Sequence, residues 1–297
     1  MGLDGVAVPV PTLFADDGAL DMARNSKFAR RLCDARVDHL FVLGSLGEFL
    51  SLEEAERPRL LEAVIESLTW KTDAWVGVGA ASTARAVRYA TAAEEAGAAA
   101  VVAVPPFYLP PAEESVVGYY RAIRASVGIP LLAYNIPSKV GYALSPALVH
   151  RLASEGTIQG LKDTAGHLES VQGFLRSVPS GFPVLPGDDT LAVDAWAGGA
   201  RGAVMGLANI LPKLAVELVA SLRAGTADRT AELDARLHEL AAVVAAGPFP
   251  STTKFLAARL RGAEVGYRSP YDPLTVDEQT RVLAALAPVE ASFAPFR

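Results

Sequence analysis

Residues 96–112 read Ala-Gly-Ala-Ala-Ala-Val-Val-Ala-Val-Pro-Pro-Phe-Tyr-Leu-Pro-Pro-Ala, the longest stretch of the chain without a charge. An apolar run of this length invites a membrane helix. Pro105, Pro106, Pro110 and Pro111 forbid it, because a helix cannot run through four prolines in seven residues. Ala100-Val101-Val102-Ala103-Val104 is instead apolar at every position and stops at a proline, as a strand covered on both faces does.

The same pattern recurs on either side. Ala7–Val10, His39–Leu43 and Trp75–Val78 precede it; Pro130–Tyr134, Gln159–Lys162, Pro183–Leu185 and Ala203–Met205 follow. Between the runs lie segments with helical spacing: 21–35, 52–68, 83–96, 113–126, 145–154, 168–177 and 190–197. Ser51 with Glu54 reads as a capping box for the second of these, and Ser145-Pro146 as a cap with proline in the first turn. Eight strands alternating with helices predict a (β/α)8 barrel. A doubly wound sheet is the rival fold, but Val8-Pro9-Val10-Pro11-Thr12 is no Gly-rich dinucleotide loop. Strand signals stop near Leu214, and helices are expected over 214–224, 228–246, 251–261 and 277–286. The expected organisation is a barrel domain over 1–213 with C-terminal helices, 214–297, packed on it.

Composition narrows the function. Of 297 residues, 51% are hydrophobic and only 20% charged, and the mean hydropathy is +0.26, so a disordered chain is excluded. Met1–Val10 has neither the basic start nor the long apolar centre of a signal peptide, and a cytoplasmic protein with no membrane span is expected. The single Cys33 excludes a disulfide framework and any cysteine-rich metal site, and the four histidines are scattered without metal-ligand spacing. A net charge of −6 with no basic patch disfavours nucleic-acid binding.

Active sites of such barrels lie at the carboxyl ends of the strands. Lys162 ends the otherwise uncharged stretch Gly156–Leu161. Burial strips water from an ammonium and favours the neutral amine that attacks a ketone; the alternative is a structural lysine paired with Asp163. Tyr134 ends the preceding run, either as a proton relay for that amine or as a core tyrosine. Gly44-Ser45-Leu46-Gly47-Glu48 offers two main-chain N–H groups to a carboxylate, or is simply a turn.

Gly44-x-x-Gly47-Glu48, Tyr134-Asn135-x-Pro137 and Lys162-Asp163-Thr164, with the later Gly187-Asp188-Asp189 and Gly199-Ala200-x-Gly202, form a constellation. It resembles the dihydrodipicolinate synthase/N-acetylneuraminate lyase family of pyruvate-dependent class I aldolases, over essentially the whole chain. The resemblance implies a Schiff-base lysine at Lys162, a catalytic tyrosine at Tyr134 and carboxylate recognition by the Ser45 and Leu46 N–H groups beside Gly47. It further implies a homotetramer (a dimer of dimers) and no metal or organic cofactor. Tyr108 matches a family tyrosine that enters a partner's site and completes a hydroxyl relay with Ser45 and Tyr134; taken alone, it is a rim residue of a proline-rich loop. Val204 matches an apolar position lining the pyruvate pocket, and Gly187 falls among the substrate-binding positions.

The departures bear on substrate. Leu46 stands where the family usually has Thr, so one hydroxyl is lost while main-chain donation survives. Lys139 stands where dihydrodipicolinate synthases usually place Arg, and an ammonium cannot form the same bidentate fork on a carboxylate. Lys139 pairs with a sugar-acid carboxylate or is solvated. Ala81, Arg85 and Phe107 occupy positions typical of the synthase's lysine-inhibition site, which is therefore expected to be absent. The expected activity is a class I aldolase acting on a 2-keto-3-deoxy sugar acid or related hydroxylated 2-oxo acid, with pyruvate and a small aldehyde or 2-oxo acid as partners. Dihydrodipicolinate synthase, condensing pyruvate with aspartate semialdehyde, and a sugar-acid dehydratase are the alternatives. A catalytically silent barrel that binds a 2-oxo acid is the reading from a different class.

Overall fold

Strands that are apolar at nearly every position need cover on both faces, and every residue of the eight strands is buried. The computed structural model describes residues 2–297. Strands and helices alternate as β1 (Gly5–Pro9), α1 (Met22–Asp34), β2 (His39–Val42), α2 (Glu56–Ser67), β3 (Asp73–Gly77), α3 (Thr83–Glu95), β4 (Ala100–Ala103) and α4 (Glu113–Ser126). They continue as β5 (Leu131–Asn135), α5 (Pro137–Val140), α6 (Pro146–Ser154), β6 (Gly160–Asp163), α7 (Leu168–Ser177), β7 (Val184–Pro186), α8 (Ala192–Ala197) and β8 (Gly202–Val204). Four helices complete the chain: α9 (Pro212–Ala224), α10 (Ala227–Ala245), α11 (Ser251–Arg261) and α12 (Val276–Leu286). The strands hydrogen-bond in one sheet in the order β7-β6-β5-β4-β3-β2-β1-β8. That order is the circuit of a (β/α)8 barrel. No helix among the described residues is long and apolar enough to cross a membrane.

The chain divides into two compact units. The first joins the residues up to Gly5 to Asp73–Val204. In it β4, β5, β6 and β7 run parallel in consecutive register, with Val101 opposite Leu131, Ala133 opposite Leu161 and Lys162 opposite Leu185. Two tyrosines of α4 secure the end of β4: Tyr119 donates to the Val104 carbonyl (3.1 Å) and Tyr120 to the Ala103 carbonyl (3.0 Å). Their rings meet edge to face at 5.4 Å, and burial pushes both phenols up. Tyr142 donates to the Pro106 carbonyl (2.8 Å), so the start of the proline-rich loop is tied down as well. The charge-free run is thus strand β4 followed by a loop.

The second unit holds Val6–Thr72 and Met205–Arg297. Here α1 packs on α2, and α10 on both α9 and α12, around Leu32, Leu40, Leu214, Leu218, Leu237 and Phe293. Asp21 caps α1 through the Arg24 N–H (2.9 Å), and Thr275 with Glu278 forms a capping box at α12. In the first unit Ser145 caps α6 through the Leu148 N–H (3.1 Å), with Pro146 next, as expected.

The expected capping box at Ser51 is not formed. Ser51 ends a single 3-10 turn, Phe49–Ser51, and α2 begins only at Glu56 after Ala55, which provides no side-chain cap. Pro58 supplies the reason. A helix begun at Leu52 would bury this proline in its interior, against the carbonyl four residues earlier; begun at Glu56, it keeps Pro58 in the first turn, where no N–H is needed. Instead, the Glu56 carboxylate reaches back to the Glu53 N–H (2.9 Å) and takes two bonds from Arg268 (2.6 and 2.7 Å).

Candidate active site

In the first unit, β5 and β6 pair so that Tyr134 lies directly opposite Lys162 and Asn135 opposite Asp163. Lys162 is 5% exposed and Tyr134 is 3% exposed. The Lys162 Nζ lies 4.0 Å from the centre of the Tyr134 ring, within reach of the negative face of the aromatic system. The two residues singled out at the ends of separate apolar runs therefore form one pair. This places the Lys162 amine over the ring that bears the Tyr134 hydroxyl.

Beside the pair stands a second layer of polar groups. The Asn135 side-chain amide donates to Asp163 Oδ1 (2.7 Å) and its oxygen accepts from the Leu144 N–H (2.9 Å). The Ala165 N–H also reaches Asp163 Oδ1 (3.3 Å). Burial pushes the Asp163 carboxyl up from its ordinary value, against the hydrogen bonds that favour its charge. Asn135 and Asp163 thereby lock the ends of β5 and β6 to each other. The sequence offers Asp163 as a partner for Lys162 and gives Asn135 no role; the register of the adjacent strands is the signal that joins these two residues to each other.

Gly187, the residue after β7, makes room for the lysine. A Cβ at this position would sit 2.1 Å from Thr164 Oγ1 and 2.7 Å from Lys162 Cε. Its N–H donates to the Asp163 carbonyl (2.7 Å), which brings the backbone close. Thr164 Oγ1, facing the same place, is buried and has no protein hydrogen-bond partner. Lys162, Tyr134 and Gly187 are thus brought together, and Thr164, quoted in the sequence motif without a role, joins them. Val204 ends β8 and is buried. Lys139 is exposed on the four-residue helix α5. Tyr108 is 88% exposed on the proline-rich loop, with a left-handed backbone (φ 77°).

The loop after β2 lies in the second unit. Leu46 and Gly47 are buried and Ser45 is half-buried. Both glycines are closely packed: at Gly44 a Cβ would press on the Phe41 ring (2.8 Å), and at Gly47 it would crowd the Val10 carbonyl (3.1 Å). The Thr12 hydroxyl donates to the Gly47 carbonyl (2.6 Å), and the Glu48 N–H to the Ser45 carbonyl (3.2 Å). A turn held in this way keeps its main-chain N–H groups in one geometry.

Among the described residues, no group of three or more His, Cys, Asp or Glu side chains is placed to hold a metal ion. A cavity of about 680 Å³ opens elsewhere in the first unit, lined by Leu3, Pro179, Phe182, Gly199 and Arg201. These residues precede β7, β8 and β1, at the amino ends of the strands, where barrels of this kind carry no chemistry.

Comparison with known proteins places this geometry among relatives. The profile of the Dihydrodipicolinate synthetase family matches residues 2–288. A protein of Escherichia coli K12 named as a probable 2-dehydro-3-deoxy-D-pentonate aldolase is 35% identical over 256 residues, covering 84% of this chain and 85% of the relative. The 4-hydroxy-tetrahydrodipicolinate synthase of Aromatoleum aromaticum is 32% identical over 288 residues, covering 96% and 97%. Among solved structures, YagE, a prophage protein of the dihydrodipicolinic acid synthase family from E. coli K12 in complex with pyruvate, superposes with a TM-score of 0.91 at 27% identity, over 97% of this chain and 99% of that one.

Proposed function

Since the chain belongs to the dihydrodipicolinate synthetase family of pyruvate-dependent aldolases, we propose that it uses Lys162 as a Schiff-base nucleophile on a 2-keto-3-deoxy sugar acid or a related hydroxylated 2-oxo acid. The observation that carries this reading is the buried Lys162 amine lying 4.0 Å over the Tyr134 ring at paired strand ends.

Lys162 Nζ adds to the C2 ketone, and loss of water from the carbinolamine leaves a protonated imine. The C3–C4 bond then breaks. Its electron pair flows to the imine nitrogen while the C4 hydroxyl gives up its proton, which releases an aldehyde and leaves an enamine. Protonation at C3 and hydrolysis return pyruvate and free Lys162. Tyr134 carries the protons of these steps. On the family resemblance, the main-chain N–H groups of Ser45 and Leu46, beside Gly47, hold the substrate carboxylate, and Val204 lines the pyruvate pocket. As written, the reaction calls for neither a metal nor an organic cofactor.

Two features favour a hydroxylated substrate. Thr164 Oγ1 is buried without a protein partner and so is available to a substrate hydroxyl. Lys139 replaces the fork-shaped arginine that would suit the aspartate semialdehyde carboxylate. Condensation of pyruvate with aspartate semialdehyde is the second reading, supported by the similarity to the A. aromaticum synthase. Dehydration through the same imine is the third. The working assembly on this reading is a homotetramer in which the exposed Tyr108 meets a partner's site.

Incubation with pyruvate and borohydride tests the central claim. A covalent adduct mapped by mass to Lys162 is expected; no adduct, or one on another residue, sinks the Schiff-base reading. Pyruvate release from keto-deoxy sugar acids is then compared with condensation onto aspartate semialdehyde. Activity confined to the condensation overturns the choice of substrate.

A further inference from the structure

One ionic pair of the second unit is used by none of the steps above. Lys254, on α11, and Glu48, directly after Gly47, have side chains that are 0% and 1% exposed, and Lys254 Nζ lies 2.6 Å from Glu48 Oε1. The ammonium also donates to the Gly266 carbonyl (3.0 Å) and lies 5.1 Å from the centre of the Phe14 ring and 5.2 Å from that of Tyr267. Burial pushes the Glu48 carboxyl up and the Lys254 ammonium down, and each group's charge opposes the shift of the other. An apolar pair of similar volume would stabilise such a core as well or better, since removing two charges from water is costly. The charges therefore call for a positional explanation, and the backbone supplies one. Glu48 stands in a left-handed conformation (φ 52°, ψ 38°), where a non-glycine residue is strained. Its position just after the loop makes the ion pair the anchor of that strained turn.

We propose that the Lys254–Glu48 pair is a positioning device: it holds the Gly44–Gly47 turn in the shape that receives a 2-oxo acid carboxylate, and so sets the affinity for pyruvate without touching the reacting carbon. The inference rests on the carboxylate role given to this turn under the proposed function. The turn is held at three points. Phe41 packs where a Gly44 side chain would be, Thr12 binds the Gly47 carbonyl, and Lys254 grips the Glu48 side chain. The first two fix the plane of the turn. The third fixes the rotation of the peptide that follows Gly47, and with it the aim of the N–H groups ahead of it.

The test measures borohydride trapping on Lys162 against pyruvate concentration and, in parallel, against acetone, a ketone without a carboxylate. The unmutated protein, Glu48→Gln, Lys254→Met and the charge-free double variant E48Q/K254M are compared. Each variant is expected to need roughly 10- to 100-fold more pyruvate for half-maximal trapping, the scale of one lost hydrogen bond to a charged group. Acetone trapping is expected to stay within about twofold of the unmutated protein at the same precision of comparison. Unchanged half-saturation by pyruvate overturns the proposal. So do equal losses for pyruvate and acetone, which would mark a general disturbance of the barrel. The double variant leaves no unpaired buried charge, so it tests the device even where a single variant does not fold. Failure of the double variant to fold also overturns the proposal, because the pair would then be a folding determinant. Absence of any Lys162 adduct in the unmutated protein is a separate outcome, and it strikes the proposed function itself.

Discussion

At Gly187 the backbone passes so close to Lys162 and Thr164 that a methyl group would overlap both side chains, so the lysine's path depends on a hydrogen atom. Gly187→Ala is expected to displace the amine by a fraction of an ångström to an ångström and to slow pyruvate trapping on Lys162 by about 100-fold, since misplacement on that scale is felt strongly in a positioned reaction. Overpacking of this kind costs roughly 1–3 kcal/mol, which leaves the fold standing. Adduct kinetics by mass, alongside a urea melt, read both effects. Trapping at the unmutated rate would show that the lysine has another path. Tyr134→Phe keeps the ring beneath Lys162 Nζ and removes only the hydroxyl. Turnover is expected to fall by about 10²- to 10⁴-fold while Lys162 remains in place, the range for losing a general acid–base group. The adjacency of Lys162 and Tyr134 was open to a sequence reading because a charge or a hydroxyl at the end of an apolar run is conspicuous, although their roles came only from the family resemblance. Glu48 and Lys254 were not, because nothing in the local spacing of either announces a partner so distant along the chain.

Strand and helix periods were legible almost throughout, because each strand is buried on both faces and each helix on one stripe. The four-residue helix α5 was not, since a single turn leaves no period to detect. Helix starts were legible where a cap and a proline agreed, as at Ser145-Pro146, and misleading where a cap signal stood before a proline that set a later start, as at Ser51. The start of α2 gained a substitute for the missing cap in Arg268, which grips Glu56 with two bonds, donates to the carbonyls of Gly18 (2.7 Å) and Ser51 (3.0 Å), and lies 4.2 Å from the centre of the Phe14 ring. The Arg268 guanidinium holds the Glu56 carboxyl below its ordinary value. A carboxylate depressed in the folded state contributes stability that is complete above its unfolded value and is lost as pH falls through the folded one. Glu56→Gln is therefore expected to destabilise the protein by about 1–2 kcal/mol at neutral pH. The gap to the unmutated protein should close on acidification through the carboxylate range. Denaturant melts at a series of pH values check this, and a gap that stays constant would refute the assignment.

On the scale of the whole molecule, the barrel order was legible, but its division into compact units was not, because that depends on which helices pack on which strands. Asp73–Val204 has a continuous stretch of chain with its own buried strands, whereas Val6–Thr72 shares its unit with Met205–Arg297. A chain shortened to end at Val204 is expected to lose Val6–Thr72 to limited proteolysis first, while fragments spanning Asp73–Val204 persist longer. Equal lifetimes of the two regions, followed by mass spectrometry, would contradict the division. The division also orders events during synthesis. A ribosome delivers the first two strands early, yet the partners that complete their unit, Met205–Arg297, follow the whole of Asp73–Val204. Asp73–Val204 can therefore organise first, while Val6–Thr72 wait, exposed to chaperones and proteases, until Met205–Arg297 have been made.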